Sequence, residues 1–296
     1  MDIYELRQEI DRIDDQLLNL FAQRMEVSTR IADYKKEHQL PIFDPARERE
    51  KLRDVGNKAG ADLSSHARVL YSLLFELSRS YQSQVQAQQS ALSLQILDAI
   101  EHTPKLLAPQ ATIACCGSEN PGLTTACERL FKDPCPLFFN SVEAVFSAIE
   151  QGMCRYCLFA LEDSSTSAVK SIYDLLLEHK CYIVRSIHIQ AETGARIRYV
   201  CVSRTLEIYP GGDKTSMMMV LPHKPGALYR VLARLYVLGI NITRLESCPI
   251  AEQSFDFRFY FDLETSIYSP EFVRFMCELE DLCKEFGYLG SYSEVI

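Results

Sequence analysis

The 296-residue sequence has no apolar run approaching the ~20 residues that span a bilayer. It has no basic excess either: 31 lysines and arginines stand against 40 aspartates and glutamates, a net charge of -9. That balance excludes the clustered basic face of a nucleic-acid-binding protein, though not a small anionic ligand held by a few placed arginines. A secretory leader is not expected, because the start, Met1-Asp2-Ile3-Tyr4-Glu5, is charged from its second residue. Regular cysteine spacing is also missing, so the eleven cysteines read as reduced thiols of a cytoplasmic protein and not as a disulfide framework. Cys154-x-x-Cys157 has no second pair, and it reads, like Cys115-Cys116, as buried thiol rather than metal site. No histidine lies beside a nucleophile. What is present, 47% hydrophobic and 24% charged residues, suffices for two or three folded domains.

Leu6, Ile10, Ile13, Leu17, Leu20, Val27, Ile31 and Tyr34 recur at three- and four-residue steps. This is the period of one amphipathic helix from about Ile3 to His38, roughly 50 Å long at ~1.5 Å per residue. Such a helix needs another chain or a long return helix to cover its stripe. Pro41 ends it, and Asp44-Pro45 starts a second helix, with an N-cap acceptor before a proline at the first helical position. That helix runs to about Lys58. A third, from Leu63 to about Gln88, presents Val69, Leu70, Leu73, Leu74 and Leu77. Three helices that cannot enclose a core alone point to an intertwined dimer. Arg24 and Lys35, eleven residues apart, project from one side of the first helix, while Arg7 lies roughly 80–100° around it. Arg7 could join them across a dimer interface. Arg47 and Glu48 follow Asp44 on the second helix, and Ser78 and Gln82 share a face of the third.

Leu6-Arg7-x-x-Ile10-Asp11-x-Ile13-Asp14-x-x-Leu17-Leu18, Arg24, Lys35, Asp44-Pro45-x-Arg47-Glu48 and Ser78-x-x-x-Gln82 together closely resemble the all-helical chorismate mutases, over nearly all of residues 2–85. The reaction this resemblance implies is the Claisen rearrangement of chorismate to prephenate, which is unimolecular and requires no nucleophile, metal or cofactor. Catalysis would come from holding a reactive conformer and stabilising charge that grows on the ether oxygen. By the resemblance, Arg24 and Arg7 of the partner subunit clamp the two carboxylates with their planar forks. Lys35 and Gln82 donate to the ether oxygen, and Glu48 accepts from the ring hydroxyl with Asp44 nearby. Arg47 and Ser78 complete the polar wall.

Residues 89–110 read as a linker, ending in Thr103-Pro104 and Pro109. Within 111–210, strands at Ala111–Gly117, Tyr156–Leu161 and Tyr182–Ile189 alternate with helices at Thr124–Phe131, Val142–Gln151 and Ser167–His179. This alternation predicts a small α/β domain with parallel strands. Ala160-Leu161-Glu162-Asp163-Ser164, Val169 and Tyr173-Asp174-Leu175 resemble the first lobe of prephenate dehydratase, the usual fusion partner of chorismate mutase in the bifunctional P-proteins of phenylalanine synthesis. The departures are Gly117-Ser118-Glu119-Asn120 for Gly-Pro-Glu-Gly, Ala160-Leu161-Glu162-Asp163 for Pro-Ile-Glu-Asn, and Ile197-Arg198-Tyr199 for Thr-Arg-Phe. The chain also passes from Ile189 to Ile197 where the family inserts a second lobe. The cleft between lobes is then missing, and the segment reads as structural.

From Lys214 the order strand, helix, strand, strand, helix, strand predicts a ferredoxin-like α+β domain over 213–296. The strands lie at Thr215–Leu221, Ile240–Ile250, Phe255–Leu263 and Tyr288–Val295; the helices start at Leu228 and at Pro270, the latter reaching Phe286. Leu221-Pro222-His223-Lys224-Pro225-Gly226-Ala227-Leu228-Tyr229, Gly239-Ile240-Asn241-Ile242-Thr243 and Glu246-Ser247-Cys248-Pro249 resemble the ACT domain of P-proteins. In that family the matching positions, Gly226, Ala227, Leu228, Glu246, Ser247 and Pro249, hold L-phenylalanine; Cys248 replaces an arginine. The whole is identified as a member of the P-protein family: an all-α mutase domain over 1–88, a single dehydratase-like lobe and a regulatory ACT domain. Chorismate is the implied substrate, L-phenylalanine the effector, and a homodimer or higher oligomer the assembly. Two alternatives stay open: a bifunctional enzyme that also makes phenylpyruvate, and a non-catalytic phenylalanine-binding regulator.

Overall fold

Glu5 reaches back to the Asp2 N–H at 3.0 Å and closes a capping box at the start of α1, Ile3–Glu37. The Asp44 carboxylate accepts from the N–H groups of Ala46 (3.1 Å) and Arg47 (3.0 Å), and with Pro45 at the first position it starts α2, Pro45–Lys58. Gly60, in the left-handed region at φ +75°, turns the chain into α3, Gly60–Gln86, three residues ahead of the expected Leu63. The computed structural model describes all residues except 1, 39, 41–43, 87–89, 162–171, 191–193, 195, 251–255 and 296. It divides into Met1–Gln88, which holds these three helices, and Gln89–Ile296.

In the first unit α3 packs on both α1 and α2. Of α1 only Met25, Ser28 and Ala32, in its second half, are buried. Its apolar stripe is otherwise open: Ile10, Ile13, Leu17 and Leu20 are 49–61% exposed, and Val69 and Leu70 on α3 are exposed as well.

The second unit revises the expected boundaries. The stretch read as linker contains α4, Ala91–His102, capped by Ser90, whose hydroxyl accepts from the Ser93 N–H at 3.1 Å. Leu92, Ile96 and Ala99, at helical spacing, are buried in a cluster with Phe272, Phe275, Met276 and Leu279, so this segment is core and not tether. Then follow β1 (Gln110–Cys116), α5 (Pro121–Leu130), β2 (Asp133–Phe139), α6 (Val142–Glu150), β3 (Tyr156–Leu161), α7 (Ile172–Glu178), β4 (Tyr182–Gln190) and β5 (Arg196–Ser203). The first part of the helix expected from Ser167 lies outside the described residues, as do Glu162, Asp163, Ser164 and Val169. The chain continues through β6 (Lys214–Leu221), α8 (Ala227–Val237), β7 (Asn241–Pro249), β8 (Phe257–Glu264), α9 (Pro270–Leu282) and β9 (Glu285–Val295).

Among the described residues, nine strands form one mixed sheet in the order β2-β1-β3-β5-β4-β9-β6-β8-β7. The two domains expected at 111–210 and 213–296 therefore share a sheet and belong to one unit. β1 is parallel to β2 and β3, but β5 is antiparallel to both β3 and β4. The short connection from Gln190 to Arg196 enforces this, since a parallel return needs a crossover of about a dozen residues or more. β2 was hidden by Pro134 and Pro136, which a strand tolerates at a sheet edge, where β2 sits.

The seam is β9, antiparallel to β6 along most of its length and then parallel to β4 through Arg185↔Ser293 and Ile187↔Val295. Gly290 lies where the β6 pairing shifts register; a Cβ there would stand 2.3 Å from the Ile183 carbonyl oxygen. Charge crosses the same seam. Arg198 on β5 donates to Asp262 of β8 (2.6 Å) and to the Tyr292 hydroxyl of β9 (2.6 Å). Tyr173 donates to both Asp262 oxygens at 3.0–3.1 Å, and Ser216 donates to the same carboxylate. Burial, with Asp262 alongside, pushes the Tyr173 phenol above its ordinary value and keeps it a donor. Asp262 is 2% exposed, so Arg198→Met leaves a buried carboxylate without its cation. The expected loss is about 3–5 kcal/mol, read as a lower urea midpoint in the sheet signal of circular dichroism. An unchanged midpoint would show that Tyr173 and Ser216 satisfy Asp262 without the arginine.

Candidate active site

The buried half of α1 carries the polar site. Arg24, one turn before the buried Ser28, faces α3, where its Nη1 donates to the Leu74 carbonyl at 3.1 Å and to the Ser78 hydroxyl. Its guanidinium carbon stands 5.8 Å from the Phe75 ring centre. Burial lowers the Arg24 pKa from its ordinary value, with Tyr71 opposing. Ser78 in turn donates to Leu74 O at 2.7 Å. One turn further along α3, Gln82 is 7% exposed and lies on the same face.

Lys35, half-buried near the end of α1, has its ammonium pKa lowered by burial; Asp44 opposes that shift and Arg79 adds to it. Those two influences put the Lys35 ammonium within the field of charges at the start of α2 and on α3. Glu48, in the first turn of α2, accepts a hydrogen bond from Arg79, and Arg79 also pairs with Glu76. Glu76 and Ser78 are both nearly buried. Neither Glu76 nor Arg79 was singled out from the sequence. Their signal is a Glu–Arg pair at i, i+3 on α3, with Arg79 one turn before Gln82.

The structure thus joins Arg24 to Ser78 and Glu48 to Arg79, sets Lys35 in the field of Asp44 and Arg79, and buries Gln82 on α3. It does not gather Arg47, whose side chain is 67% exposed and pairs with Glu50 on its own helix at 2.8 Å. Nor does it gather Arg7: α1 is unbroken from Ile3 to Glu37, so Arg7 lies roughly 25 Å along the axis from Arg24. Arg7 itself is exposed. Chemically, half-buried cations beside a carboxylate, a hydroxyl and an amide suit a small dianion with an oxygen that gains charge and a hydroxyl to be accepted.

The second predicted set has other surroundings. Gly226 adopts φ +83° at the head of α8, Ala227 is buried, and Leu228 packs against the cluster of Val231, Leu235 and Phe272. Ser247 and Pro249 lie on the edge strand β7, and Cys248 packs against a different cluster. Glu246 accepts from Arg244 Nε (3.0 Å) and Nη2 (2.6 Å), and that guanidinium stands 5.4 Å from the Tyr173 ring centre. Cys115, Cys154 and Cys157 are buried free thiols, and Cys116 is half-buried. A cavity of about 600 Å³ lined by Asp98, His102, Arg155, Arg204 and Glu207 contains none of the predicted residues.

Comparison with known proteins matches residues 6–83 to the type II chorismate mutases and residues 113–204 to the prephenate dehydratases. The bifunctional chorismate mutase/prephenate dehydratase of Aquifex aeolicus (strain VF5) is 26% identical, covering 100% of this chain and 99% of the relative. That alignment runs to 361 positions, so the relative carries residues this chain lacks. The Escherichia coli (strain K12) protein of the same description is 22% identical over 97% of this chain and 95% of its own. Among solved structures, one described as a novel type of quorum quenching acylase is 28% identical at a TM-score of 0.54, covering 61% of this chain and 94% of that one. Prephenate dehydratase from Arthrobacter aurescens, in complex with L-Phe, shares the fold at 15% identity and a TM-score of 0.54, over 62% and 90%.

The Lys35 environment makes a direct prediction. Carbon-13 NMR of the lysine side chains should show Lys35 titrating below the ordinary lysine range. Asp44→Asn should lower it further, because the opposing negative charge is gone; a shift upward would mean that Asp44 does not face Lys35.

Proposed function

This chain belongs to the family of bifunctional chorismate mutase/prephenate dehydratases, and on that footing we propose that its helical unit is a chorismate mutase converting chorismate to prephenate. The observation that supports the reading is that Arg24 meets Ser78 across α1 and α3, Glu48 meets Arg79 across α2 and α3, Lys35 lies in the field of Asp44 and Arg79, and Gln82 is buried on α3. In the rearrangement one carbon–oxygen bond breaks as one carbon–carbon bond forms, and the ether oxygen gains negative charge. Lys35 and the Gln82 amide donate to that oxygen, a stabilisation larger in the transition state than in the ground state. Arg24 binds one carboxylate; Glu48 accepts from the ring hydroxyl. Arg7 of the partner subunit binds the other carboxylate, and the exposed stripe of Ile10, Ile13, Leu17 and Leu20 supports that dimer. Arg47 and Asp44 border the site, Asp44 through its field on Lys35.

The sheet unit is proposed to serve regulation, with residues 111–210 as structural lobe and 213–296 as ACT domain. The run β9-β6-β8-β7, with α8 and α9 between its strands in sequence, supports the ferredoxin-like reading. L-phenylalanine is the proposed effector, near Gly226, Ala227, Leu228, Glu246, Ser247 and Pro249. Loss of dehydration is supported by Arg198, whose fork is occupied by Asp262 and Tyr292, and by the shortened passage from β4 to β5. A purely regulatory protein has no use for a half-buried Arg24 on Ser78, a half-buried Lys35 and a buried Gln82 together, which disfavours the non-catalytic reading.

The test is turnover of chorismate by the full chain, followed by ultraviolet absorbance, with and without millimolar phenylalanine. Prephenate should form, Lys35→Ala should lower kcat by roughly 10²–10³, and no phenylpyruvate should appear from added prephenate. A folded but inactive wild type would sink the mutase reading, and phenylpyruvate would restore the bifunctional one. The shared site has its own test. Arg7→Ala and Arg24→Ala proteins should each be nearly inactive, yet recover about a quarter of wild-type activity when unfolded and refolded together, because each mixed dimer rebuilds one intact site. No recovery would place Arg7 outside the active site.

A further inference from the structure

Arg79 is a cation the mutase chemistry does not call for, yet it pairs with Glu48 and lies in the field of Lys35. Its side chain is 11% exposed and its fork spans two helices: Nη1 on Glu48 Oε1 of α2, Nη2 on Glu76 Oε1 of its own α3. The Glu76 side chain is 8% exposed and the Glu48 side chain 25%, so the open end of the row is Glu48. Next to Arg79 in sequence, Ser78 receives Arg24, and one turn on lies Gln82. On this reading of the site we propose that Arg79 is a positioning residue for the rearrangement: anchored by Glu76, it aims the Glu48 carboxylate at the ring hydroxyl of the substrate.

The physical case is geometric. Glu48 sits on the first turn of a 14-residue helix, and without a tether its three side-chain torsions would be free. A guanidinium with one end fixed on a buried carboxylate presents the other end in a single plane, which a flexible ammonium cannot do. One Glu48 oxygen is engaged by Arg79, and the carboxylate retains acceptor sites for a hydroxyl. Arg79 also acts on Lys35, whose ammonium it disfavours, while Asp44 favours it. A residue that merely clasps α2 to α3 would matter for stability and leave these two functions untouched.

The experiment is chorismate kinetics across pH for the full-length wild type, Arg79→Gln, Arg79→Lys, Glu48→Gln and the double variant Glu48→Gln/Arg79→Gln, with helix content checked by circular dichroism. Arg79→Gln should lose roughly tenfold or more in kcat/KM, as misplaced groups do, while its alkaline limb moves to higher pH because Lys35 has lost a neighbouring cation. Arg79→Lys should keep the wild-type limb but not the wild-type rate. In the Glu48→Gln background the second substitution should cost little more, since Arg79 acts through Glu48. Wild-type kcat/KM in a folded Arg79→Gln protein overturns the proposal; if that variant does not fold, wild-type kcat/KM in Arg79→Lys overturns it. An inactive wild type fails the mutase reading and this one with it, an outcome distinct from an active wild type with indifferent Arg79 variants.

Discussion

A helix of 35 residues, packed among the described residues chiefly against α3, leaves much of its own apolar stripe bare. That constraint organises the helical unit. The half of α1 holding Met25, Ser28 and Ala32 is packed and carries Arg24 and Lys35; the half holding Ile10, Ile13 and Leu17 is bare and carries Arg7. Apolar area of this extent on one helix is a signature of association. A second copy laid along the stripe satisfies the hydrophobic demand and the electrostatic one together, since it brings an arginine that the unbroken helix holds about 25 Å away. Assembly and catalysis would then have one physical cause.

Both units bury charge, with different consequences. In the helical unit the cations keep one side open: Lys35 is half-buried, and the Glu48 side chain is more exposed than those of Arg79 and Glu76. In the sheet unit the Arg198–Asp262–Tyr173–Tyr292 group is closed on itself, with each named member bonded to another. A buried ion pair contributes little net stability, yet losing one partner is costly, so such a group ties together β5, β9 and β8, which are not neighbours in the sheet. The same chemistry leaves part of the charge exposed in the helical unit and makes a fastener in the sheet unit, where the charges answer one another.

The fastener lies where sequence patterns place a domain boundary. β9 completes the β9-β6-β8-β7 run and also pairs with β4, a double duty that requires Gly290 against the Ile183 backbone. Core residues follow suit: Phe159 and Val200 share a cluster with Met218, Tyr260 and Leu289. Strain or ligand contact at the β7–β8 edge would therefore have a continuous hydrogen-bonded path toward β5, although coupling along it depends on two alternative packings.

Local signals were legible wherever one residue type has one meaning: Asp44-Pro45 begins α2, Tyr156–Leu161 is a strand, and the stripe from Leu6 to Tyr34 is a single helix. Arg24, Lys35, Glu48, Ser78 and Gln82 were legible only as a set, because periodicity places them on helices while the resemblance to the all-helical chorismate mutases singles them out. Arg79 and Glu76 were not, since a Glu–Arg pair on a helix ordinarily faces water and only the packing of α2 over α3 turns it inward. Prolines concealed β2, and a Gln- and Ser-rich neighbourhood concealed α4, whose apolar spacing is nonetheless present. The direction of β5, the merging of two expected domains and the turning away of Arg47 were settled only by tertiary structure. Periodicity and caps act within a few residues and are written in the chain itself. The Glu48–Arg79, Arg198–Asp262 and Arg198–Tyr292 contacts join residues 31 to 94 positions apart, and so depend on which surfaces packing brings together.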